Sequence, residues 1–253
     1  MSNHLLKSLS LLCLTFFLVM CSSKKPEGKT AAEVLYKEAQ ELMGESRYLL
    51  ATEKLNTLKT QYPYSYYATH AELLQADILF LQENFIESAA AYLLFRDFHP
   101  KHEKIIYVVF KIAESYFRQL PSTFDRDLSA AHEAIKYYTE IIDKYGVSEY
   151  RDEAINKRDQ CNKMLSNKEK YIADFYFKTK VYDAARFRYL KNIEESKDDS
   201  LKKHSMLKVV ESSLKMKSYQ DCIDYSREYE NKLDGNELAA LVNFKKECEI
   251  KLP

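Results

Sequence analysis

The feature that most limits how this chain can fold is a set of seven positions that returns 37 residues later in the sequence. In both copies these positions hold small, aliphatic, aromatic or proline residues. The first copy consists of Ala39, Leu42, Tyr48, Ala51, Leu55, Leu58 and Pro63, and the second of Ala76, Leu79, Phe85, Ser88, Tyr92, Phe95 and Pro100. Spacings of three and four residues place such side chains on one helix face. Each copy therefore predicts two antiparallel helices, which bury their apolar faces only when the copies stack.

Three further copies of the pattern follow, and the first of these is interrupted. The third copy begins at Ala113 and contains nine additional residues, within 119–127, between its two predicted helices. The fourth copy begins at Ala173 and the fifth at Val210. Residues 236–251 are predicted to form a helix that caps the open end of the stack. The apolar face of this helix is predicted to consist of Leu238, Leu241, Val242 and Cys248.

The composition agrees with an all-α chain and excludes one class of partner. Only 4 Gly and 5 Pro occur in 253 residues, so turn signals are few, and no useful strand alternation is present. The spacing of the copies is similar to that of the tetratricopeptide repeat. This resemblance implies an all-α, right-handed superhelical solenoid of about five tetratricopeptide-like helix pairs with a C-terminal capping helix. Basic and acidic residues balance at 38 each, so no nucleic-acid partner is expected.

The amino terminus has the features of a secretory signal followed by a lipid-attachment site. The apolar run over 11–20 is too short to span a membrane. Residues 18–21 resemble the bacterial lipobox, with Met20 in place of the usual small residue, which implies that Cys21 becomes lipid-modified. Ser22 resembles the sorting position of outer-membrane lipoproteins, so we expect a protein lipid-anchored on the periplasmic face of the outer membrane. The alternative is an ordinary cysteine behind a conventional signal peptide.

The chain is predicted to divide into four segments. They are a lipoprotein signal peptide at 1–20, a flexible tether at 21–30, repeats 1–3 at 31–166, and repeats 4–5 with the capping helix at 167–253. The boundary between the two groups of repeats rests on residues 150–170, which are strongly charged and predict a long exposed linking helix. Beyond the anchor cysteine three cysteines remain, and this odd number argues against a disulfide framework, although pairing of Cys222 with Cys248 stays open.

No sequence pattern points to catalysis or to a bound cofactor. Glycine-rich phosphate loops, nucleophile elbows and HExxH metal motifs are absent from the sequence. His99 and His102 flank a helix-ending proline and lack the further ligands that a zinc site needs. We therefore expect a protein that is not an enzyme, with no catalytic residue, no metal and no cofactor.

Two places outside the packing positions are candidates for partner contact. The insertion at 119–127 contains turn-forming residues and Phe124, which suits either a partner-binding surface loop or a simple spacer. Arg186 and Arg188 follow two alanines on a predicted helix whose small residues pack inward. At about 100° per residue, at most one of these arginines points away from the stack. Such an arginine is either an interface anchor or a member of a surface ion pair.

Several local strings occur together in this chain, in a fixed order behind the lipobox. They are Tyr62-Pro63-Tyr64-Ser65-Tyr66-Tyr67-Ala68, His99-Pro100-Lys101-His102, Pro121 with Asp125-Arg126-Asp127, and Phe175-Tyr176 through Tyr182-Asp183-Ala184-Ala185-Arg186-Phe187-Arg188. Together they resemble the BamD family of outer-membrane assembly lipoproteins, over nearly all of residues 18–230. The resemblance implies a non-enzymatic subunit of the machinery that folds β-barrel proteins into the outer membrane.

The same resemblance implies partners and binding residues. The N-terminal repeats would take up the C-terminal targeting strand of an unfolded barrel protein. The C-terminal repeats would dock on the POTRA region of a BamA-type barrel through Arg188, beside other assembly lipoproteins, and only the lipid would enter the membrane. An aromatic-lined groove can hold an extended peptide by stacking, and the candidates for it are Tyr36, Tyr62, Tyr66, Tyr67 and Phe80. The alternative is another periplasmic repeat lipoprotein that serves as an envelope or cell-wall adaptor.

Overall fold

The computed structural model of this protein describes residues 28–252. Eleven α-helices and one short 3-10 helix make up the regular structure of that range, which contains no strand. The prediction of an all-α chain built from tetratricopeptide-like helix pairs is therefore confirmed for the described residues. The predicted signal peptide at 1–20, the lipid site at Cys21 and most of the tether lie outside them. Between residues 28 and 252, no helix has both the length and the apolarity needed to cross a bilayer.

The helices follow one another closely along the chain. They are α1 (Ala31–Gly44), α2 (Tyr48–Gln61), α3 (Tyr66–Leu81), α4 (Phe85–Phe98), α5 (Ile105–Arg118), α6 (Ser129–Lys144), α7 (Arg151–Lys178), α8 (Tyr182–Glu195), α9 (Asp199–Lys215), α10 (Tyr219–Tyr229) and α11 (Gly235–Lys251), with the 3-10 helix Glu230–Lys232 between the last two. The predicted insertion at 119–127 falls in the connection between α5 and α6. It therefore leaves both helices of the third copy intact.

The first compact unit of the chain ends at Glu83 and contains α1, α2 and α3. Ala39 of α1 and Ala51 of α2 are completely buried, and their small side chains let the two helices approach closely. Leu55 and Leu58 of α2 are completely buried in the same cluster. Four positions of the first copy are thus confirmed as interior, and Leu42 and Tyr48 pack against the same cluster while partly buried.

The second compact unit begins at Asn84 and contains α4 to α11, each packed against the next. The second helix of every copy in this unit contains one tyrosine that is at most 2% exposed. These tyrosines are Tyr92, Tyr138, Tyr189 and Tyr229. Flat rings fill the space between adjacent helices, and this packing accounts for part of the high tyrosine content, 20 residues in the whole chain.

Four tight turns within helix pairs contain a non-glycine residue with positive φ. These residues are Ser46, Glu83, Lys180 and Lys217, with φ of 60°, 62°, 65° and 62°. The first two are 37 residues apart in the sequence, as are the last two, so the turn repeats with the helices. After α9, Lys217 N–H donates to the Leu214 carbonyl and Ser218 N–H donates to the Ser213 carbonyl, both at 3.0 Å. This pair of hydrogen bonds is the Schellman motif, which satisfies carbonyls at a helix end.

Helix α7 is continuous over 28 residues and packs against both α6 and α8. The prediction of a long helix here is confirmed, but the helix is more than an exposed link. Ala154 and Cys161 of its first half are completely buried, as is Ala173 of its second half. The predicted boundary at 166/167 falls inside α7, whereas the two compact units divide after Glu83. The grouping of repeats into 31–166 and 167–253 stays a prediction.

A disulfide joins the last two helices. Cys222 of α10 is bonded to Cys248 of α11, with the two Cα atoms 6.4 Å apart, so the pairing that the sequence left open is formed. Leu241 and Cys248 are completely buried in the face of α11 that covers the core, with Phe244 packed beside them. The inclusion of Val242 in this face is wrong, since its side chain is 44% exposed. Val242 follows Leu241 directly and therefore points about 100° away around the helix.

Candidate functional site

Three of the predicted groove aromatics come together in the first compact unit. The ring centroid of Tyr36 on α1 lies 5.5 Å from that of Tyr67 on α3. The ring of Tyr66 meets Tyr67 edge-on at 5.5 Å, and the Tyr66 side chain is 68% exposed. Tilted and edge-to-face contacts at such distances are the favoured arrangements of aromatic pairs. Tyr36, Tyr66, Tyr67 and the neighbouring His70 are called the tyrosine patch below.

His70 is the member of the tyrosine patch that the sequence analysis missed. It lies one turn after Tyr66 on α3, with ring centroids 4.1 Å apart, and 6.1 Å from Tyr36. Its Nδ1–H donates to the Tyr66 carbonyl oxygen at 3.0 Å. The four-residue spacing from Tyr66 is the signal that points to it. Burial, together with the negative charge of Asp77, raises the pKa of Tyr36 to about 12, so its hydroxyl stays protonated at neutral pH.

The two remaining groove candidates lie away from the tyrosine patch. Tyr62 is exposed at the C-terminal end of α2 and makes no ring contact with the patch in the described structure. Phe80 is half-buried and follows Tyr67 on α3 by 13 residues, which is about 20 Å along a helix axis. The sequence therefore predicts five groove residues, of which the structure brings three together.

Arg186 and Arg188 on α8 have different surroundings. The Arg186 guanidinium donates to Asp221 Oδ2 at 2.7 Å and to Ser213 Oγ at 3.3 Å, so it ties α8 to α9 and α10. Arg188 is half-buried, and no carboxylate oxygen of residues 28–252 lies within 4.0 Å of its guanidinium. Phe187, between the two, is 66% exposed. Arg186 therefore forms an ion pair with another helix of this chain, while Arg188 has no carboxylate partner among the described residues and stands beside an exposed ring.

Phe124 in the insertion loop lines an open cavity of about 480 Å³ beside α7. Its ring meets that of Tyr171 on α7 edge-on, with centroids 5.9 Å apart. The loop is held to α7 by Lys168, whose Nζ donates to the Arg126 carbonyl oxygen at 2.6 Å. The other lining residues are Asn167, Lys170, Asp174, Phe175 and Lys178. The insertion thus forms one wall of an aromatic site, which we call the α7 cavity.

Asp174 connects the α7 cavity to a polar cluster between helices. Its Oδ1 accepts hydrogen bonds from the Tyr189 hydroxyl at 2.7 Å and from His204 Nε2 at 2.9 Å. Its Oδ2 accepts one from Lys170 Nζ at 3.1 Å. Burial acts to raise the pKa of Asp174, but these hydrogen bonds outweigh it and hold the pKa well below its usual value. The ionised carboxylate therefore holds α7 to α8 and α9.

A more deeply buried carboxylate, Glu114, is held in a similar way. It accepts hydrogen bonds from the Tyr138 hydroxyl and from Lys157 Nζ, the latter at 2.6 Å. Burial and the charge of Glu114 strongly raise the pKa of Tyr138, so that phenol remains a donor. In the part of the chain that the structure describes, no three His, Cys, Asp or Glu side chains are grouped so that they could hold a metal ion.

The sequence of this chain matches a known protein family over most of its length. The sequence matches the family model described as YfiO, outer membrane lipoprotein, over residues 29–228. The chain belongs to the YfiO family of outer membrane lipoproteins. The YfiO match contains the tyrosine patch, the α7 cavity and both arginines, and it ends within α10. Helix α11, which the disulfide holds, lies beyond the matched span.

Two relatives of this YfiO-family chain share one name. Outer membrane protein assembly factor BamD of Rickettsia prowazekii (strain Madrid E) is 28% identical over 219 residues, which cover 86% of this chain and 87% of that protein. The protein of the same name from Neisseria gonorrhoeae is 28% identical over 172 residues, 64% of either chain, so just under two thirds of its length is matched.

Among solved structures, the TPR2AB domain of yeast Sti1 in its pHSP90 complex aligns over 88% of this chain and 84% of that one, with a TM-score of 0.46 and 12% identity.

Proposed function

We propose that this chain is a non-enzymatic lipoprotein subunit of the machinery that assembles β-barrel proteins into the outer membrane, where it acts as scaffold and receptor for unfolded barrel proteins. The observation that carries the proposal is the YfiO family match over 29–228, together with relatives named outer membrane protein assembly factor. Stacked helix pairs suit such a role because they present side chains from a rigid frame.

Arg188 is the proposed anchor for the POTRA region of a BamA-type barrel. Its guanidinium is half-buried and lacks a carboxylate partner among residues 28–252. Phe187 beside it is exposed. An arginine next to an exposed ring is a frequent energetic centre of protein interfaces. A carboxylate of the partner would complete the ion pair that this chain does not supply.

The tyrosine patch is the proposed receptor surface for unfolded barrel proteins. Tyr66 is 68% exposed, its ring contacts Tyr67, and Tyr67 in turn contacts Tyr36. Rings clustered in this way can take up apolar and aromatic peptide side chains without requiring one sequence. Tyr62 and Phe80 would extend the surface only if the peptide continued beyond the patch.

Attachment to the periplasmic face of the outer membrane would use lipid on Cys21, which lies outside the described residues. Acyl chains contribute about 0.8 kcal/mol per buried CH₂, and two or more of them anchor a protein stably. The disulfide between Cys222 and Cys248 supports a periplasmic location, because such bonds form and persist in oxidising compartments.

The docking role of Arg188 predicts a specific loss in the variant Arg188→Glu. The new carboxylate would repel the carboxylate of the partner, so we expect recovery of the BamA-type barrel with the purified lipoprotein to fall about tenfold or more. The measurement is affinity isolation from detergent-solubilised membranes, with circular dichroism to verify helicity. Lys246→Glu is the matched control, since it reverses the charge of an exposed residue on α11 instead of α8. Equal recovery with both variants would contradict the docking role.

Depletion separates this function from that of an envelope or cell-wall adaptor. Loss of β-barrel proteins from the outer membrane on depletion would support assembly. Normal barrel content with defective cell division would support the adaptor instead. Isolation of the wild-type lipoprotein without any barrel-assembly subunit would also argue against the proposal.

A further inference from the structure

The α7 cavity has walls that suit an aromatic side chain. Phe124 comes from the insertion loop, and Tyr171 and Phe175 come from successive turns of α7. Tyr171 is 50% exposed and Phe175 is 52% exposed, although both are large apolar side chains. The edge-on contact of Phe124 with Tyr171 leaves ring surface open to a further ring.

The charges around the α7 cavity favour a ligand that carries a negative group next to its aromatic ring. Asp174 already accepts hydrogen bonds from Tyr189, His204 and Lys170, so its charge is compensated within the fold. Lys178 is exposed, and no carboxylate oxygen among the described residues lies within 4.0 Å of its Nζ. The lining therefore holds one uncompensated ammonium group, three residues after Phe175 on the same helix face.

The openness of the cavity favours a peptide over a small molecule. Small-molecule sites generally bury about 70–90% of the ligand surface, whereas two of the three rings here stay half-exposed. Phe175 and Lys178 are three residues apart on α7, which is about 4.5 Å along the helix and little more than one residue of an extended chain. A peptide lying along α7 would therefore place an aromatic residue and an acidic residue at neighbouring positions.

We propose that the α7 cavity binds an acidic peptide segment whose aromatic side chain enters among Phe124, Tyr171 and Phe175 while an adjacent carboxylate pairs with Lys178. The site is built from α7 and the insertion loop and shares no residue with the tyrosine patch or with Arg188. It goes beyond the proposed function and does not depend on it, because binding at the cavity can be measured without any assembly partner.

The test uses the full-length lipoprotein in detergent and three synthetic peptides. Gly-Glu-Phe-Glu-Gly is the probe, Gly-Lys-Phe-Lys-Gly reverses its charge and Gly-Glu-Ala-Glu-Gly removes its ring. Titration calorimetry is expected to show the probe binding at least about tenfold more tightly than either of the others. A probe with benzophenone in place of the phenyl ring should crosslink to the loop at Phe124 or to α7 at Tyr171 or Phe175. Crosslinks confined to other helices would overturn the assignment.

Variants then separate the ring contact from the charge contact. Lys178→Glu should weaken binding of the acidic probe about tenfold and improve binding of the basic peptide, because the charge at position 178 changes from positive to negative. Phe175→Ser should weaken both peptides that contain phenylalanine. The controls are Lys246→Glu and Phe98→Ser, which make the same changes at exposed positions outside the cavity. They should leave binding unchanged.

Three results would overturn the proposal. The first is absence of binding by any of the peptides. The second is unchanged affinity for the acidic probe in Lys178→Glu, which would remove the charge contact. The third is binding of N-acetylphenylalanine as tightly as the probe, which would make the cavity a small-molecule site.

Discussion

The carboxylate of Asp174 stabilises the packing of three helices in its ionised form. Tyr189 and His204 donate to one of its oxygens and Lys170 to the other. Its pKa in the folded chain lies below the value for the unfolded chain. The contribution of Asp174 to the free energy of unfolding is therefore fully present above the unfolded pKa, near 4, and is lost as the pH falls through the folded pKa.

Asp174→Asn is expected to lower the free energy of unfolding by about 1–3 kcal/mol at neutral pH, because the charge-assisted hydrogen bonds are weakened. The difference in free energy of unfolding between this variant and the wild type should become smaller as the pH falls below about 4. Urea unfolding followed by circular dichroism, between about pH 7 and pH 3, measures both effects. Asp152→Asn, at an exposed position of the same helix, should cause little change at any pH. A gap between wild type and Asp174→Asn that stays constant with pH would contradict the role given to the ionised carboxylate.

The two arginines show how far residue-level prediction reaches in this chain. Helix geometry alone predicts that at most one of Arg186 and Arg188 points away from the stack. The partner that decides between them, Asp221, stands 35 residues after Arg186 on another helix. Local spacing contains no information on such a pair. His70, by contrast, stands one turn from Tyr66 and could have been found from the sequence.

At the scale of elements, the repeated turn holds a residue with positive φ where glycine is usual. A left-handed conformation in a non-glycine residue generally costs about 1–3 kcal/mol. Lys217 adopts it, with φ of 62°, in the Schellman motif that ends α9 before α10 begins. Glycine accepts this conformation without a steric penalty but loses more entropy on folding. The two effects oppose each other, and the steric one is larger.

Lys217→Gly is therefore expected to raise the free energy of unfolding by about 0.5–1 kcal/mol. Lys246→Gly, in the exposed interior of α11, should instead lower it by about 1 kcal/mol, because glycine is a poor helix former. Denaturant unfolding of both variants beside the wild type provides the comparison. Destabilisation by both substitutions would show that the turn at Lys217 is not strained.

The repeat pattern predicts elements well where packing is local and less well elsewhere. Ala39, Ala51 and Leu55 are buried as predicted, since each contacts a helix adjacent in the sequence. Ala173 of α7 is buried as predicted for the fourth copy, but the burial of Ala154 and Cys161 was not expected, because these few small residues stand among many charged ones. Val242 was placed on the wrong side of α11, since an apolar residue next to Leu241 cannot be oriented without knowing which helix covers it.

At the scale of the whole molecule, the C-terminal end depends on a covalent bond as well as on packing. The Cys222–Cys248 disulfide closes a loop with a sequence separation of 26 and holds α11 against α10. Such a loop restricts the unfolded chain and stabilises the fold by about 3–4 kcal/mol in the chain-entropy account. The count of cysteines could not reveal the bond, because the third cysteine, Cys161, is a buried free thiol.

Replacing both bonded cysteines, as Cys222→Ser with Cys248→Ser, is expected to lower the free energy of unfolding by about 3–4 kcal/mol under oxidising conditions. The wild type in the presence of a reducing agent should approach the stability of the double variant. Urea unfolding with and without reductant tests both statements. Insensitivity of the wild type to the reductant would contradict a stabilising role of the bond.

Helix α7 has a mechanical consequence for partners. The insertion loop with Phe124 is held to it, and α8 with Arg188 packs along it. An uninterrupted helix of 28 residues is about 42 Å long, and it has no flexible joint at which the two places could move apart. A partner that touches both would make its second contact as an intramolecular step, at an effective concentration set by the fixed distance between the two places. Two contacts that are each weak could then retain one partner tightly, without any new interaction between them.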